Sequence, residues 1–199
     1  MYLIKIDLII YFYINIIIMG SLEIIIGPMF AGKSTELIQR IRKLKVLNKE
    51  YIVLKPIIDD RYSNTEIVSH NKEKENCVSF DTIDNFINLI DISNFNTIFI
   101  DEGQFFPDLK NGVLKLVEQY NKNVVVTGLD GDFHRNEFGE ILKLIPYCDS
   151  CKKITSLCVF CNDMTPALFS HKINGNNKQV EVGSDIYKPV CRKHYLEFN

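Results

Sequence analysis

The sequence has no surplus of positive charge. It sets 23 Lys and Arg against 25 Asp and Glu, a formal net charge of −2 with a pI near 6.1. A protein that coats DNA must neutralise many phosphates, so that class is excluded and no nucleic-acid partner is expected. Glycine and proline are sparse, 10 and 6 in 199 residues, which excludes collagen-like chains. A composition 46% hydrophobic and 24% charged excludes disorder, and a chain of this length can bury roughly 70% of its unfolded surface. The six cysteines are too few for a disulfide scaffold, and five of them, Cys148, Cys151, Cys158, Cys161 and Cys191, crowd the last third, leaving Cys77 apart. No long charge-free apolar run is present. Met1 to Ile18 is apolar but carries Lys5 and Asp7, and its uncharged part, Leu8 to Ile18, falls short of the ~20 residues of a spanning helix. Met19-Gly20-Ser21 is a poor signal-peptide cleavage site, whereas Met19 is itself a candidate start. Residues 1–18 therefore read as an apolar N-terminal extension. Leader and anchor readings stay open beside that one, and the fold is expected to begin at Met19.

From there strands and helices alternate. Leu22 to Ile26, Tyr51 to Lys55, Thr97 to Asp101 and Asn123 to Gly128 are short apolar runs of the kind that form strands buried on both faces. Ser34 to Leu47 has helical spacing, as do Ile83, Phe86, Ile87 and Ile90 behind a capping Asp81, and Leu109, Val113, Leu116, Val117 and Tyr120. Ile57 to Asn76 is mostly loop with one short strand near Glu66 to Ser69. This alternation predicts an α/β fold, a mostly parallel sheet flanked by helices with ligands at the carboxyl ends of its strands. At about Tyr147 the pattern changes to paired cysteines and polar turns, which places a boundary between residues 19–146 and 147–199.

Gly27-Pro28-Met29-Phe30-Ala31-Gly32-Lys33-Ser34 matches G-x-x-x-x-G-K-S between a strand and a helix. Backbone amides of such a loop turn inward around phosphate oxygens, and the helix N-terminus adds partial positive charge. Lys33 is expected against the β- and γ-phosphates of ATP, with the Ser34 hydroxyl on Mg²⁺. Asp101 and Glu102 follow an apolar strand where a metal-holding acid belongs. Asp101 is assigned to Mg²⁺, and Glu102, directed the other way along the pleat, to accepting a proton. That proton could come from water, giving an ATPase, or from an alcohol, giving a kinase.

Cys158 and Cys161 form a C-x-x-C, and Cys191 and His194 a C-x-x-H. Three thiolates and one imidazole make a closed, structural tetrahedral zinc site. Cys148 and Cys151 form a second C-x-x-C that could bind the metal together with Cys158 and Cys161, although the connection between those pairs is short. A nucleic-acid-stimulated ATPase and a nucleotide-sensing switch remain open at this point.

Taken together and in order, GPMFAGKSTEL, DDRYS, IDEGQFFPD, LDGDF, CVFC and VCRKHY resemble the type II thymidine kinase family over roughly Ser21 to Tyr195. The resemblance implies a P-loop, RecA-like kinase domain followed by a small zinc-binding domain carrying a lasso loop. It implies transfer of the ATP γ-phosphate to the 5′-hydroxyl of thymidine, with deoxyuridine also tested as substrate because one methyl contact is worth only ~1–3 kcal/mol. Carried onto matching positions, Glu102 is the general base, and Asp59, Arg61, Gly103 and Gln104 join the phosphate loop around ATP and Mg²⁺. Met29, Leu129, Phe133 and Tyr187 surround the nucleoside, together with backbone groups of Val180, Glu181, Val182 and Gly183 in the lasso. One structural Zn²⁺ per chain, a homotetramer, feedback binding of dTTP and a cytoplasmic location are also implied. Four features depart from the pattern, one being that Val182-Gly183-Ser184-Asp185 shortens the lasso relative to animal enzymes. His194 stands where animal and poxvirus members have Cys, Asn162 to Ser170 is longer than usual around the small hydroxyl near the thymine methyl, and Cys148 and Cys151 match no family feature.

Overall fold

A strand that is apolar on both faces has to be covered twice, and the computed structural model, which describes residues 19–59, 65–68, 73–174, 179 and 186–198, is built around that requirement. Along the chain run β1 (Ser21–Ile26), β2 (Tyr51–Pro56), the short antiparallel pair β3 (Glu66–Val68) and β4 (Lys74–Asn76), then β5 (Val78–Phe80), β6 (Thr97–Ile100), β7 (Asn123–Gly128) and β8 (Ser150–Lys153). Six of these form one sheet in the order β5-β2-β6-β7-β1-β8, with every neighbouring pair parallel.

Side chains alternate across that sheet. Ile25, Phe99, Val125 and Val53 pack on one face against Leu37, Ile38 and Ile41 of helix α1 (Lys33–Val46). Ile24 and Ile26, Ile98 and Ile100, and Val124 and Val126 point the other way. There they meet α2 (Ile83–Leu89), α3 (Leu109–Leu114) and the 3₁₀ segment Ile141–Tyr147. The sheet is therefore sandwiched between two helical layers, and both cores follow from a two-residue period in the strands.

Three local expectations are corrected. Thr82, not Asp81, caps α2, its hydroxyl accepting from the Asn85 amide at 3.1 Å. Asp81 instead accepts from the Thr82 amide and the Asn85 side chain, and Asp108 takes the amides of Ile83 and Asp84. The 109–120 helix does not stay α-helical to its end but widens into a π turn over Lys115–Gln119. The polar stretch after β2 supplies β3 and β4, and β5, which the sequence pattern did not separate from the loop, adds an edge to the main sheet. The other edge, β8, lies beyond the composition change at Tyr147 and is exposed along its length, so the sheet draws strands from both sides of that point.

The remaining chain is small. β9 (Ser156–Leu157) pairs with β10 (Pro166–Ala167), β11 (Phe169–Lys172) with β12 (Tyr187–Val190), and α4 (Arg192–Phe198) closes the described chain. Its core is the separate cluster Cys158, Ala167, Val190, Cys191 and Tyr195. Residues 1–18, Arg61 and Val180 to Gly183 lie outside the described residues. Among the described residues no helix is long and apolar enough to cross a membrane.

Gly112 sets the approach of α3 to α2. A Cβ there would lie 2.6 Å from both Cβ and Cγ2 of Ile83, so Gly112→Ala must push the helices apart. Such overpacking costs about 1–3 kcal/mol, and thermal melts are expected to show a loss of several degrees.

Candidate active site

The phosphate loop leaves β1 and enters α1 through a backbone that few residues tolerate. Gly32, at φ +85°, precedes α1 with no side-chain cap, which directs the first-turn amides toward the loop. Gly27 has a second reason to be glycine, since a Cβ on it would lie 2.2 Å from the Ile154 carbonyl oxygen behind β8. Lys33 is buried and folds back over the loop, its Nζ donating to the carbonyls of Pro28 (2.9 Å) and Gly27 (3.2 Å). Phe30, at φ +63°, is also left-handed, so the loop turns sharply at Phe30 as well as at its glycines.

Two acids meet this loop at the carboxyl end of β6. The Ser34 hydroxyl donates to Asp101 Oδ2 at 3.0 Å, joining the helix that follows the loop to the acidic strand end. Asp101 Oδ1 accepts from the Glu102 amide at 3.1 Å and from the Thr127 hydroxyl on neighbouring β7. Burial, reinforced by the Glu102 charge beside it, pushes the Asp101 carboxyl up to about 6, and the Thr127 and Ser34 hydroxyls only partly offset this. A buried carboxylate next to a hydroxyl is a hard oxygen donor set short of positive charge, and it suits Mg²⁺. The residues that would hold the ion are Ser34 and Asp101.

Glu102 reaches its place by a different route from the one the strand pattern implied. β6 ends at Ile100, and Glu102 is left-handed at φ +50°, so it leaves the pleat altogether instead of projecting from its opposite face. A non-glycine residue in that region costs on the order of 1–3 kcal/mol, which surrounding contacts must hold in place. One such contact is the Gln104 side-chain amide, which donates to Glu102 Oε2 at 2.6 Å. The Gln104 carbonyl oxygen accepts the Leu129 amide at 3.0 Å. Gly103 opens the 3₁₀ turn carrying Gln104, and a Cβ there would lie 2.7 Å from Val126 Cγ1. Asp59 is buried at the end of β2, where its carbonyl accepts from Lys55 Nζ at 2.7 Å and its carboxylate lies 3.9 Å from that ammonium. Lys55, buried to 2% exposure, is the cation beside Asp59, and nothing in the sequence singled it out.

The small C-terminal unit closes over the loop. The Ser170 hydroxyl on β11 accepts the Met29 amide at 2.9 Å, which brings Ser170 against the phosphate loop despite the long segment before it. Phe133 is buried 6.5 Å from the Tyr187 ring, with Lys172 Nζ 4.7 Å above its face. Tyr195 on α4 donates to the Phe133 carbonyl at 2.8 Å, while Arg135 lies 4.5 Å over the Tyr195 ring. A cavity opens between the loop and β11, lined by Pro28, Asp132, Arg135, Phe169 and Ser170. Gln179 bridges to Asp132 at 2.9 Å from the segment preceding Val180.

The metal ligands also come together. Cys158, Cys161, Cys191 and His194 have their ligand atoms within 4.8 Å of one another. His194 Nδ1 lies 3.3, 3.5 and 3.3 Å from the three sulfurs in that order, and Cys161 and Cys191 sulfurs are 3.9 Å apart. A tetrahedron with Zn–S near 2.3 Å and Zn–N near 2.0–2.1 Å has edges of about 3.8 Å (S to S) and about 3.5 Å (S to N), so the cluster fits zinc. Although burial opposes ionisation of Cys158, the amides of Cys191, Phe160 and Cys161 and the His194 ring hold its thiol down to about 6, favouring the thiolate a metal needs. The pairing that used Cys148 and Cys151 is not the one the fold assembles. Cys151 is exposed on β8, and Cys148 donates to the Ile145 carbonyl beside it.

Comparison with known proteins gives the family. A family model described as Thymidine kinase matches residues 20–195. A thymidine kinase of Oryza sativa subsp. japonica is 36% identical over 183 residues, 89% of this chain and 67% of its own length. Those of Vaccinia virus (strain Western Reserve) and Bacteroides thetaiotaomicron are each 37% identical, over 180 and 181 residues. Each alignment covers 89% of this chain, and 98% and 87% of the relative respectively.

Two measurements test the site. With its carboxyl raised from the ordinary 3.8 to about 6, folded Asp101 holds a proton that the unfolded chain has released in between, so its contribution to stability falls as pH rises through that window. Asp101→Asn is therefore expected to melt higher than the natural chain at pH 7, by on the order of 3 kcal/mol at most, with the difference shrinking toward pH 4. A difference that stays flat across this range would contradict the raised carboxyl. Metal analysis is expected to return about one zinc per chain, lost in Cys191→Ala and kept in Cys148→Ala.

Proposed function

The chain belongs to the thymidine kinase family, and from that membership we propose that it transfers the γ-phosphate of ATP to the 5′-hydroxyl of thymidine, giving dTMP for DNA synthesis. The observation that carries the reading is the Ser34–Asp101 hydrogen bond, because it joins the phosphate loop and the acid pair Asp101 and Glu102 into one site. Loop amides between Gly27 and Gly32 and the α1 N-terminus receive the triphosphate, and Lys33 exchanges its loop carbonyls for phosphate oxygens. Mg²⁺, when bound, neutralises charge on the transferring phosphoryl group. Glu102 removes the 5′-hydroxyl proton as the alcohol oxygen attacks phosphorus and the bond to the ADP leaving oxygen breaks. The fixed cation of Arg61 belongs near the transferring phosphoryl group, and Asp59 at the neighbouring end of β2.

Phe133 and Tyr187 wall the base together with Met29 and Leu129, while backbone groups of Val180 to Gly183 hydrogen-bond it. A loop that reads a base through its own amides needs fixed ends, which a structural zinc on Cys158, Cys161, Cys191 and His194 supplies. Residues 19–146 act as the kinase domain and 147–199 as the zinc-binding lasso domain. Phosphorylation of deoxyuridine, feedback binding of dTTP, a homotetrameric assembly and action in a reducing, cytoplasmic compartment complete the proposal.

Incubating the chain with ATP, Mg²⁺ and thymidine is expected to yield dTMP by chromatography. Glu102→Gln should lower kcat by about 10²- to 10⁴-fold while calorimetry finds ATP binding unchanged. A Gln variant that loses ATP binding instead would remove Glu102 from the role of base.

A further inference from the structure

We propose that Gln104 is a positioning residue that couples the proton acceptor to the nucleoside wall: its single amide group orients the Glu102 carboxylate and fixes the backbone of Leu129 at the same time. The inference rests on the reading of Glu102 as base and departs from the assignment of Gln104 to ATP.

The orientation of the amide follows from its partners. The Leu129 N–H can only donate, so the group facing it at 3.0 Å must be the Gln104 carbonyl oxygen. The NH₂ group then faces Glu102 Oε2 at 2.6 Å, and that oxygen has to accept. With Oε2 committed to the amide, the arriving substrate proton is directed to Oε1. A charged partner in place of the amide would change this. Among the described residues, Asp101 stands beside Glu102, the Asp59 charge also acts on Asp101, Lys55 pairs with Asp59, and Lys33 adjoins the Ser34 that bonds Asp101. A neutral donor stabilises the carboxylate without adding a further charge to that group.

One glycine outside the phosphate loop is shaped around this side chain, and a second is shaped around the backbone that carries it. A Cβ on Gly128 would lie 2.4 Å from Gln104 Oε1. A Cβ on Gly139, itself at φ +62°, would lie 2.1 Å from the backbone carbonyl oxygen of Gln104. Gln104 is 3% exposed, and its bond to Glu102 is buried out of reach of competing water, while the Leu129 bond is half-buried. A residue built to touch phosphate would not need its side-chain amide enclosed on the β7 side of the site.

The test compares Gln104→Glu and Gln104→Met with the natural chain, using Glu102→Gln as reference. In Gln104→Glu the two carboxyls share a proton, so the acid limb of the kcat/KM profile for thymidine should move up by about one pH unit or more. Activity at pH 7 should fall about tenfold or further, as expected when a hydrogen bond to a charged group is lost. Gln104→Met, which fills the slot but makes neither bond, should raise the thymidine KM several-fold. In both variants calorimetry should find ATP affinity within about twofold of the natural value. An unmoved acid limb with an unchanged thymidine KM overturns the proposal, as does a loss confined to ATP binding. Full activity in Glu102→Gln would overturn the base assignment instead, leaving a signature distinct from either result.

Discussion

Two neighbouring carboxylates, Asp101 and Glu102, are buried at the end of β6, and the rest of the site is organised around making that tolerable. Like charges held side by side away from water each raise the cost of ionising the other. The fold answers with hydroxyls from Ser34 and Thr127 on Asp101 and an amide from Gln104 on Glu102. These partners come from α1, β7 and the turn after β6. The acid pair can therefore exist only where these elements converge, at the carboxyl ends of central parallel strands. Under the proposed function, the penalty left on Asp101 favours taking up a cation. A carboxylate that is costly to ionise would be relieved by a bound cation, so stability and the proposed function oppose each other at that residue.

The second dependence runs through the small C-terminal unit. Its core is only a handful of side chains, too small to be stable alone without a staple, and the Cys158–Cys161–Cys191–His194 cluster is at its centre. His194 immediately precedes Tyr195 in a short helix, and the Tyr195 hydroxyl donates to the Phe133 carbonyl while the Ser170 hydroxyl accepts the Met29 amide. The Cys–His cluster, the Phe133–Tyr187 pair and the phosphate loop are thus linked by contacts between buried or half-buried groups. Disturbing the cluster would be felt at the nucleoside side of the site without any direct contact between them.

Much of this was legible in the sequence, for identifiable reasons. The β1, β6 and β7 strands stand out because both faces are apolar, the phosphate loop because its spacing is rigid, and Cys158, Cys161, Cys191 and His194 because ligand spacing within each pair is local. β5 did not stand out, since three residues lack enough alternation to be told from loop. Lys55 and Thr127 were hidden because their significance lies in which strand sits beside them, and Gly128 and Gly139 because nothing in the chain announces what a Cβ would strike.

The chain's own order determined the kind of chemistry: a phosphate loop, an acid pair after an apolar strand, and paired metal ligands are all defined over a few residues, where geometry follows directly from covalent connectivity. Tertiary structure alone decided that Cys158 and Cys161 meet Cys191 and His194 and not Cys148 and Cys151, that Glu102 sits in a left-handed turn off the pleat, and that Gln104 faces Glu102 and Leu129. Those outcomes depend on contacts between residues distant in sequence, or on backbone torsions fixed by such contacts. Neither is encoded in any local pattern that could be read before the sheet is assembled.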